Sequence, residues 1–251
     1  MNAVEVQGLL KHSAGRSMRH VVAQADGSWA TLYRVGGVAG LVFVVLVVIP
    51  VVLVLAAPVP PVEGGPLLPY IASHKALYLT ELICFVGLSV PALVVFVAVT
   101  VALKGVDKSA AVLGGLLGVA SEIVALSVGS SPQSLHGGLV VLSDSYVRAG
   151  TDAEQAGLVS AADALIAATN AVSWAGILTA AAIFVLSALM GRSEFGRTVA
   201  VVGVLTGAIG MLSEALRPII GPAYMLYGLL LPTWFALVGY RLLRLGRMSM
   251  S

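Results

Sequence analysis

Residues 112–131 (VLGGLLGVASEIVALSVGSS) form a run long and apolar enough to cross a bilayer, and they carry a glutamate, Glu122, inside it. A carboxylate in hydrocarbon costs about 2.5–3.5 kcal/mol on insertion scales, so Glu122 must face protein or water rather than lipid. Gly115, Gly118, Ala125 and Gly129 recur with it at three- and four-residue steps, which puts small residues and the acid on one helical face. A second helix can therefore lie close against the acid.

The rest of the chain repeats this apolar character. Of 251 residues, 59% are hydrophobic and 10% charged, which places the chain among integral membrane proteins rather than soluble domains. The net charge of +2 offers no basic face for a nucleic acid. The single cysteine, Cys84, lies in an apolar run and reads as a packing residue.

Residues 1–33 read as a polar, basic cytoplasmic arm. Six spans are expected between residues 34 and 243. The first, 35–57, is too long for a signal-peptide core and lacks a clean cleavage site; Gly36 and Gly40 give it a close-packing face, and Pro50 a kink in its outer half. The Pro- and Gly-rich segment 58–73 reads as an irregular external loop. The second span, 75–103, holds Glu81 near its start and Pro91 near its middle, with His74, Tyr78 and Glu81 on one face. Span three is the stretch described first.

The longest polar segment, the external loop 130–163, follows. Leu135, Leu139, Leu142 and Tyr146 repeat at helical steps and predict a short amphipathic helix on the outer surface. A second helix is expected after Gly150, opened by a Thr151–Glu154 capping box and running on into the fourth span, 165–190. Span five, 198–216, ends with Glu214 and Arg217 one turn apart, and span six covers 222–240; a cytoplasmic tail, 244–251, closes the chain. With both termini inside, eleven basic residues (Lys11, Arg16, Arg19, Arg34, Lys104, Lys108, Arg192, Arg197, Arg241, Arg244, Arg247) are cytoplasmic and three (Lys75, Arg148, Arg217) external. That bias sets the orientation.

Spans three and five are alike. VLGGLLGVASE (112–122) aligns without gaps on VLTGAIGMLSE (204–214), matching Val-Leu, two glycines and Ser-Glu. A parallel repeat of two-helix hairpins is thus allowed. Glu122, Glu214 and Glu81 then reach a similar depth, with His74, Lys75, Tyr78 and Arg217 near that level.

The ligand- or proton-binding candidates are therefore Glu81, Glu122, Glu214, Arg217, His74 and Tyr78. Each has a structural counterpart reading: Glu122 as an interhelical hydrogen-bonding group, Glu214 as the ion-pair partner of Arg217, and Glu81 as a water-exposed acid at a helix entrance. His74, Glu81 and His136 match no zinc-binding spacing, and no metal or cofactor is expected. Ser134, His136 and Asp144 could supply nucleophilic catalysis, but no nucleophile elbow accompanies them, and the sequence leans away from an enzyme. Trp29, Tyr33, Tyr70, Tyr224, Tyr227 and Trp234 read as interfacial anchors.

Tyr33-Arg34-Val35-Gly36-Gly37-Val38, Leu142-Ser143-Asp144-Ser145-Tyr146, the acidic AEQAGLVSAADAL segment and Phe195-Gly196-Arg197-Thr198 together carry a resemblance. From Tyr33 onward the chain resembles a bacterial multi-pass membrane family known as a domain of unknown function. The resemblance implies a six-helix inner-membrane protein and brings no catalytic residues.

The expected fold is thus an all-α polytopic membrane bundle of six transmembrane helices, with a short external amphipathic helix between spans three and four. It is expected in the bacterial cytoplasmic membrane, binding a small solute, cation or lipid headgroup in a permease-like manner through its outer-half polar cluster. A non-catalytic subunit of a larger membrane complex is the alternative, and an intramembrane enzyme comes last. The lipid bilayer is one partner; a second copy or other membrane subunits would meet its Gly-rich faces.

Overall fold

The computed structural model describes residues 26–56, 58–128, 137–171 and 174–248. The chain is all-α. Its helices are α1 (Ala30–Ala56), α2 (Gly64–Ser73), α3 (Lys75–Gly87), α4 (Ser89–Leu103), α5 (Lys108–Val128), α6 (Gly138–Arg148), α7 (Asp152–Ala171), α8 (Trp174–Met190), α9 (Gly196–Ala215), the single turn α10 (Arg217–Ile220) and α11 (Tyr224–Met248). Among the described residues, five segments are long and apolar enough to cross a membrane: Gly27–Leu53, Lys75–Leu103, Lys108–Ser127, Gly196–Ala215 and Tyr224–Met248. Ala175–Met190 is apolar but shorter. Such helices are compatible with an integral membrane protein.

Six helices form a ring in sequence order: α1, α4, α5, α8 and α9 each pack against the next, then α9 meets α11, which closes on α1. Neighbours run antiparallel: Gly115 and Gly118 of α5 meet Thr100 and Phe96 of α4, Ser121 meets Thr179 of α8, and Gly207 and Gly210 of α9 meet Phe184 and Ala180 of α8. Arg34 Nε donates to the Gly246 carbonyl at 2.9 Å, so the two ends of the described chain lie at one end of the bundle. That end carries Arg34, Lys104, Lys108, Arg192, Arg197, Arg241, Arg244 and Arg247, whereas the other carries Lys75, Arg148 and Arg217. The ring is filled. Phe43 stacks on Phe235 with centroids 3.7 Å apart, and Phe96 and Trp234 pack beside them. Trp234 Nε1 donates to Ser187 Oγ at 2.9 Å, which satisfies the indole where no water reaches it.

The glycines permit this closeness. A Cβ on Gly40 would stand 2.9 Å from both Gly239 Cα and the Phe235 carbonyl oxygen, and one on Gly37 would stand 2.8 Å from the Gly239 carbonyl oxygen. The α1–α11 seam is therefore backbone against backbone, as small-residue packing allows. Gly37 and Gly40 line it, and Gly36 lies close against Ala98 of α4 and Leu242 of α11, so the expected close-packing face at Gly36 and Gly40 is present.

A second apolar core caps the end opposite the two ends of the described chain. Leu67, Leu68 and Ile71 of α2, Leu139 of α6 and Ala162 and Ile166 of α7 bury one another with Tyr78 of α3. The expected amphipathic helix is α6, with Leu139, Leu142 and Tyr146 turned into this cap. The expected capping box opens α7: Glu154 N donates to Thr151 Oγ1 and Thr151 N to Glu154 Oε2, both at 3.2 Å.

Three expectations need correction. Residues 58–73 are not an irregular loop throughout, since 64–73 form α2. Its first turn tolerates Pro66, and its N-terminal donor is met from afar: Gly64 N donates to Asp163 Oδ1 of α7 at 2.8 Å. The fourth span does not begin at Leu165, because Leu165 and Ile166 belong to α7 and pack in the cap; the apolar helix at that place is α8. Tyr33, Tyr227 and Trp234 are not interfacial anchors: all three are buried. Trp234 and Tyr227 stand against Gly203 and Gly210 respectively, where only glycine leaves room for a ring. Residues 1–25, with the expected amino-terminal arm, and Gly129, Ser134 and His136 lie outside the described residues.

The Asp163 contact yields a prediction. Asp163→Ala removes the capping acceptor of α2 and should lower stability by about 1 kcal/mol, read as a fall in thermal midpoint in detergent. Asp163→Asn, which keeps an acceptor oxygen, should restore most of it.

Candidate functional site

The second span, Lys75–Leu103, carries a proline, Pro91, near the level at which the third span buries its acid. Leu88, between α3 and α4, keeps helical backbone angles and the ladder continues through it: Leu88 N donates to the Cys84 carbonyl at 3.0 Å and Ala92 N to the Leu88 carbonyl at 3.1 Å. Pro91 removes one rung of that ladder: it has no N–H for the Gly87 carbonyl four residues back, and its ring crowds that carbonyl. Ser89 stands two residues before Pro91, and its side chain lies close to the Glu122 carboxylate of α5.

Glu122 is 6% exposed. Gly115 and Gly118, on its face of α5, lie against Thr100 and Phe96 of α4, so the small-residue face read from the sequence does hold a helix close to the acid. From the other side α8 brings Thr179. Its Oγ1 donates to Ser121 Oγ at 2.9 Å and stands 3.4 Å from Glu122 Oε1; Ser121 Oγ is also 3.4 Å from that oxygen. Ser121 has a better acceptor in the Gly118 carbonyl at 2.7 Å. The carboxylate is thus bordered by hydroxyl oxygens from three helices, and among the described residues no basic group pairs with it.

Glu214, at the matching position of α9, is 8% exposed and differently held. Tyr224 Oη donates to Glu214 Oε1 at 2.7 Å, Arg217 donates to Tyr224 Oη at 3.0 Å, and Arg217 Nε stands 3.8 Å from Glu214 Oε2. Glu214 Oε2 is buried without a hydrogen-bond partner. Its carboxylate rests on Gly176 of α8, where a Cβ would stand 2.8 Å from Oε2. Thr179 and Gly176 are one turn apart, a rise of about 4.5 Å, so α8 receives the two acids at nearly one level. Tyr227 of α11 lies within electrostatic reach of both.

The sequence repeat has a structural counterpart. Gly207 and Gly210 face Phe184 and Ala180 of α8, the helix before α9, just as Gly115 and Gly118 face Thr100 and Phe96 of α4, the helix before α5. Ser121 and Ser213 are both buried, while Leu113 and Leu205 are both exposed. The hairpins α4–α5 and α8–α9 therefore present matched residues to matched surroundings.

The remaining candidates sit elsewhere. Glu81 is 7% exposed on α3, near Tyr78, Tyr70 and Cys84. Burial first and Glu81 second push the hydroxyl of Tyr70 above its usual range; that hydroxyl donates to the Pro58 carbonyl at 2.8 Å. Tyr78 is buried in the cap. His74 turns back onto α2, its ring stacked on Tyr70 and its Nδ1 2.9 Å from Ser73 Oγ. Lys75 pairs with Asp144 at 2.6 Å, tying α3 to the cap. The structure thus unites Glu214 with Arg217, sets Glu122 on the neighbouring face of α8, and keeps His74 apart from both.

Sequence reasoning overlooked Ser89, Ser121 and Thr179. The signals were present but faint: Ser121 belongs to the repeated Ser-Glu pair, and Ser89 stands two residues before Pro91. Comparison of the chain with protein-family models, with curated proteins and with solved structures returns no match.

Proposed function

We propose that the protein is an integral membrane protein of the bacterial cytoplasmic membrane, its basic end inside, that takes up a small cation or proton at Glu122 as a permease does. The observation that carries this reading is the burial of Glu122 among hydroxyls with no basic partner among the described residues. A buried carboxylate is strongly disfavoured until something neutralises it, and an exchangeable proton or cation does so reversibly. The resemblance to a bacterial multi-pass family agrees with this setting.

The filled aromatic middle of the ring favours a second reading, a non-catalytic subunit that packs within a larger membrane complex. Proteoliposomes separate the two. With an imposed cation or pH gradient and a permeant counter-ion, the wild-type protein should carry flux above protein-free vesicles, and Glu122→Gln should cut it at least tenfold. Folded wild-type protein that moves neither protons nor alkali cations would leave the subunit reading.

A further inference from the structure

The oxygen arrangement around Glu122 narrows what neutralises it. Glu122 Oε1 has Ser121 Oγ and Thr179 Oγ1 at 3.4 Å, and these hydroxyl oxygens are 2.9 Å from each other. Hydroxyl-to-carboxylate bonds are best at about 2.5–3.0 Å, so 3.4 Å is too long for good ones. The hydroxyl protons also have other takers: the Gly118 carbonyl 2.7 Å from Ser121, and Ser121 Oγ or the Ala175 carbonyl, 3.2 Å away, for Thr179. Ser121 and Thr179 therefore leave lone pairs, rather than protons, towards the carboxylate. Neighbouring ligand oxygens around an ion with metal–oxygen distances of about 2.4 Å stand about 3.4 Å apart, which is the separation of each hydroxyl from Glu122 Oε1, while the two hydroxyls, hydrogen-bonded to each other, are closer.

Two further features agree. Pro91 leaves the Gly87 carbonyl, two residues before Ser89, without its helical donor, and freed carbonyls of membrane helices are among the groups that hold sodium in transporters. One carboxylate among neutral oxygens balances a single positive charge, and oxygen-only ligands suit a hard ion. In the matching hairpin, Glu214 has a tethered cation, Arg217, in the role left open at Glu122.

We propose that Glu122, Ser121, Thr179 and Ser89 form a binding site for a small monovalent cation, sodium by size and charge. The proposal rests on the reading of Glu122 as a cation- or proton-handling group and goes further in naming the ion. Equilibrium binding of radioactive sodium ion to the purified full-length protein in detergent tests it. Wild-type protein should bind one sodium per chain saturably, with little competition from a hundredfold excess of potassium. Glu122→Gln should abolish binding, Thr179→Val should weaken it at least tenfold at unchanged helicity, and Ser213→Ala should leave it intact. Absence of saturable sodium binding by wild type overturns the proposal. If an infrared carboxyl band that is missing from Glu122→Gln titrates in such a wild-type protein, the acid is a proton site and the broader reading survives; if it does not titrate, both fail.

Discussion

Gly40→Ile should prevent the bundle from closing, seen as loss of monodisperse protein on size exclusion and loss of a cooperative thermal transition. Most overpacked cores cost about 1–3 kcal/mol because side chains can rotate away. Here the obstacles are Gly239 Cα and the Phe235 carbonyl oxygen, each 2.9 Å from the first added carbon, and backbone cannot rotate away. The helices must separate, and Gly37 and Arg34 lose their contacts along the same seam. The cost should exceed that range. Gly157→Ala is the matched control: nothing lies within 4 Å of its added carbon, and within α7 it should stabilise by up to about 1 kcal/mol.

Arg217→Ala should be the most damaging single change to the polar half. It leaves the Glu214 carboxylate, whose side chain is 5% exposed, facing Gly176 with Tyr224 as its one strong partner. Removing one member of a buried pair costs about 3–5 kcal/mol, and because the Arg217 side chain is 28% exposed the loss should sit near the lower figure. Most of that loss is the penalty of an uncompensated charge. Adding Glu214→Gln to Arg217→Ala should therefore recover at least half of it, an interaction that a double-mutant cycle reads directly. Additive losses would mean that the 3.8 Å pair contributes nothing.

Much of the fold could be read from residues whose partners are close in sequence. Thr151 and Glu154 satisfy each other within one turn, Glu214 and Arg217 lie at i and i+3, and the repeat of α5 in α9 is visible because it is local on both helices. The features missed depend on distant partners. α2 forms in a Pro- and Gly-rich stretch because Asp163, 99 residues away, caps it and because the cap buries Leu67, Leu68 and Ile71. Tyr33 and Trp234 look like interfacial anchors until the ring closes over them.

The candidate site divides in the same way. Glu122 announces itself, since an acid in an apolar run demands shielding. Ser89 and Thr179 do not, because a hydroxyl in a membrane helix can bond its own preceding turn and carry no further meaning. Thr100, Thr206 and Thr233 do just that, donating to Phe96, Val202 and Leu229. What distinguishes Thr179 is the helix opposite it, and that is information about packing.

The account turns on Glu122 being held between α5 and α8, away from acyl chains, and paired cysteines in native membranes read this directly. Ser121→Cys with Thr179→Cys, in a Cys84→Ser background and with a protease site placed in the turn at Gly150, replaces two oxygens that are 2.9 Å apart. Mild oxidation should join the two fragments nearly completely, while Leu116→Cys with Thr179→Cys, the first on the exposed face of α5, should stay unlinked. Fragments that separate freely from the first pair, or link equally from both, would contradict it.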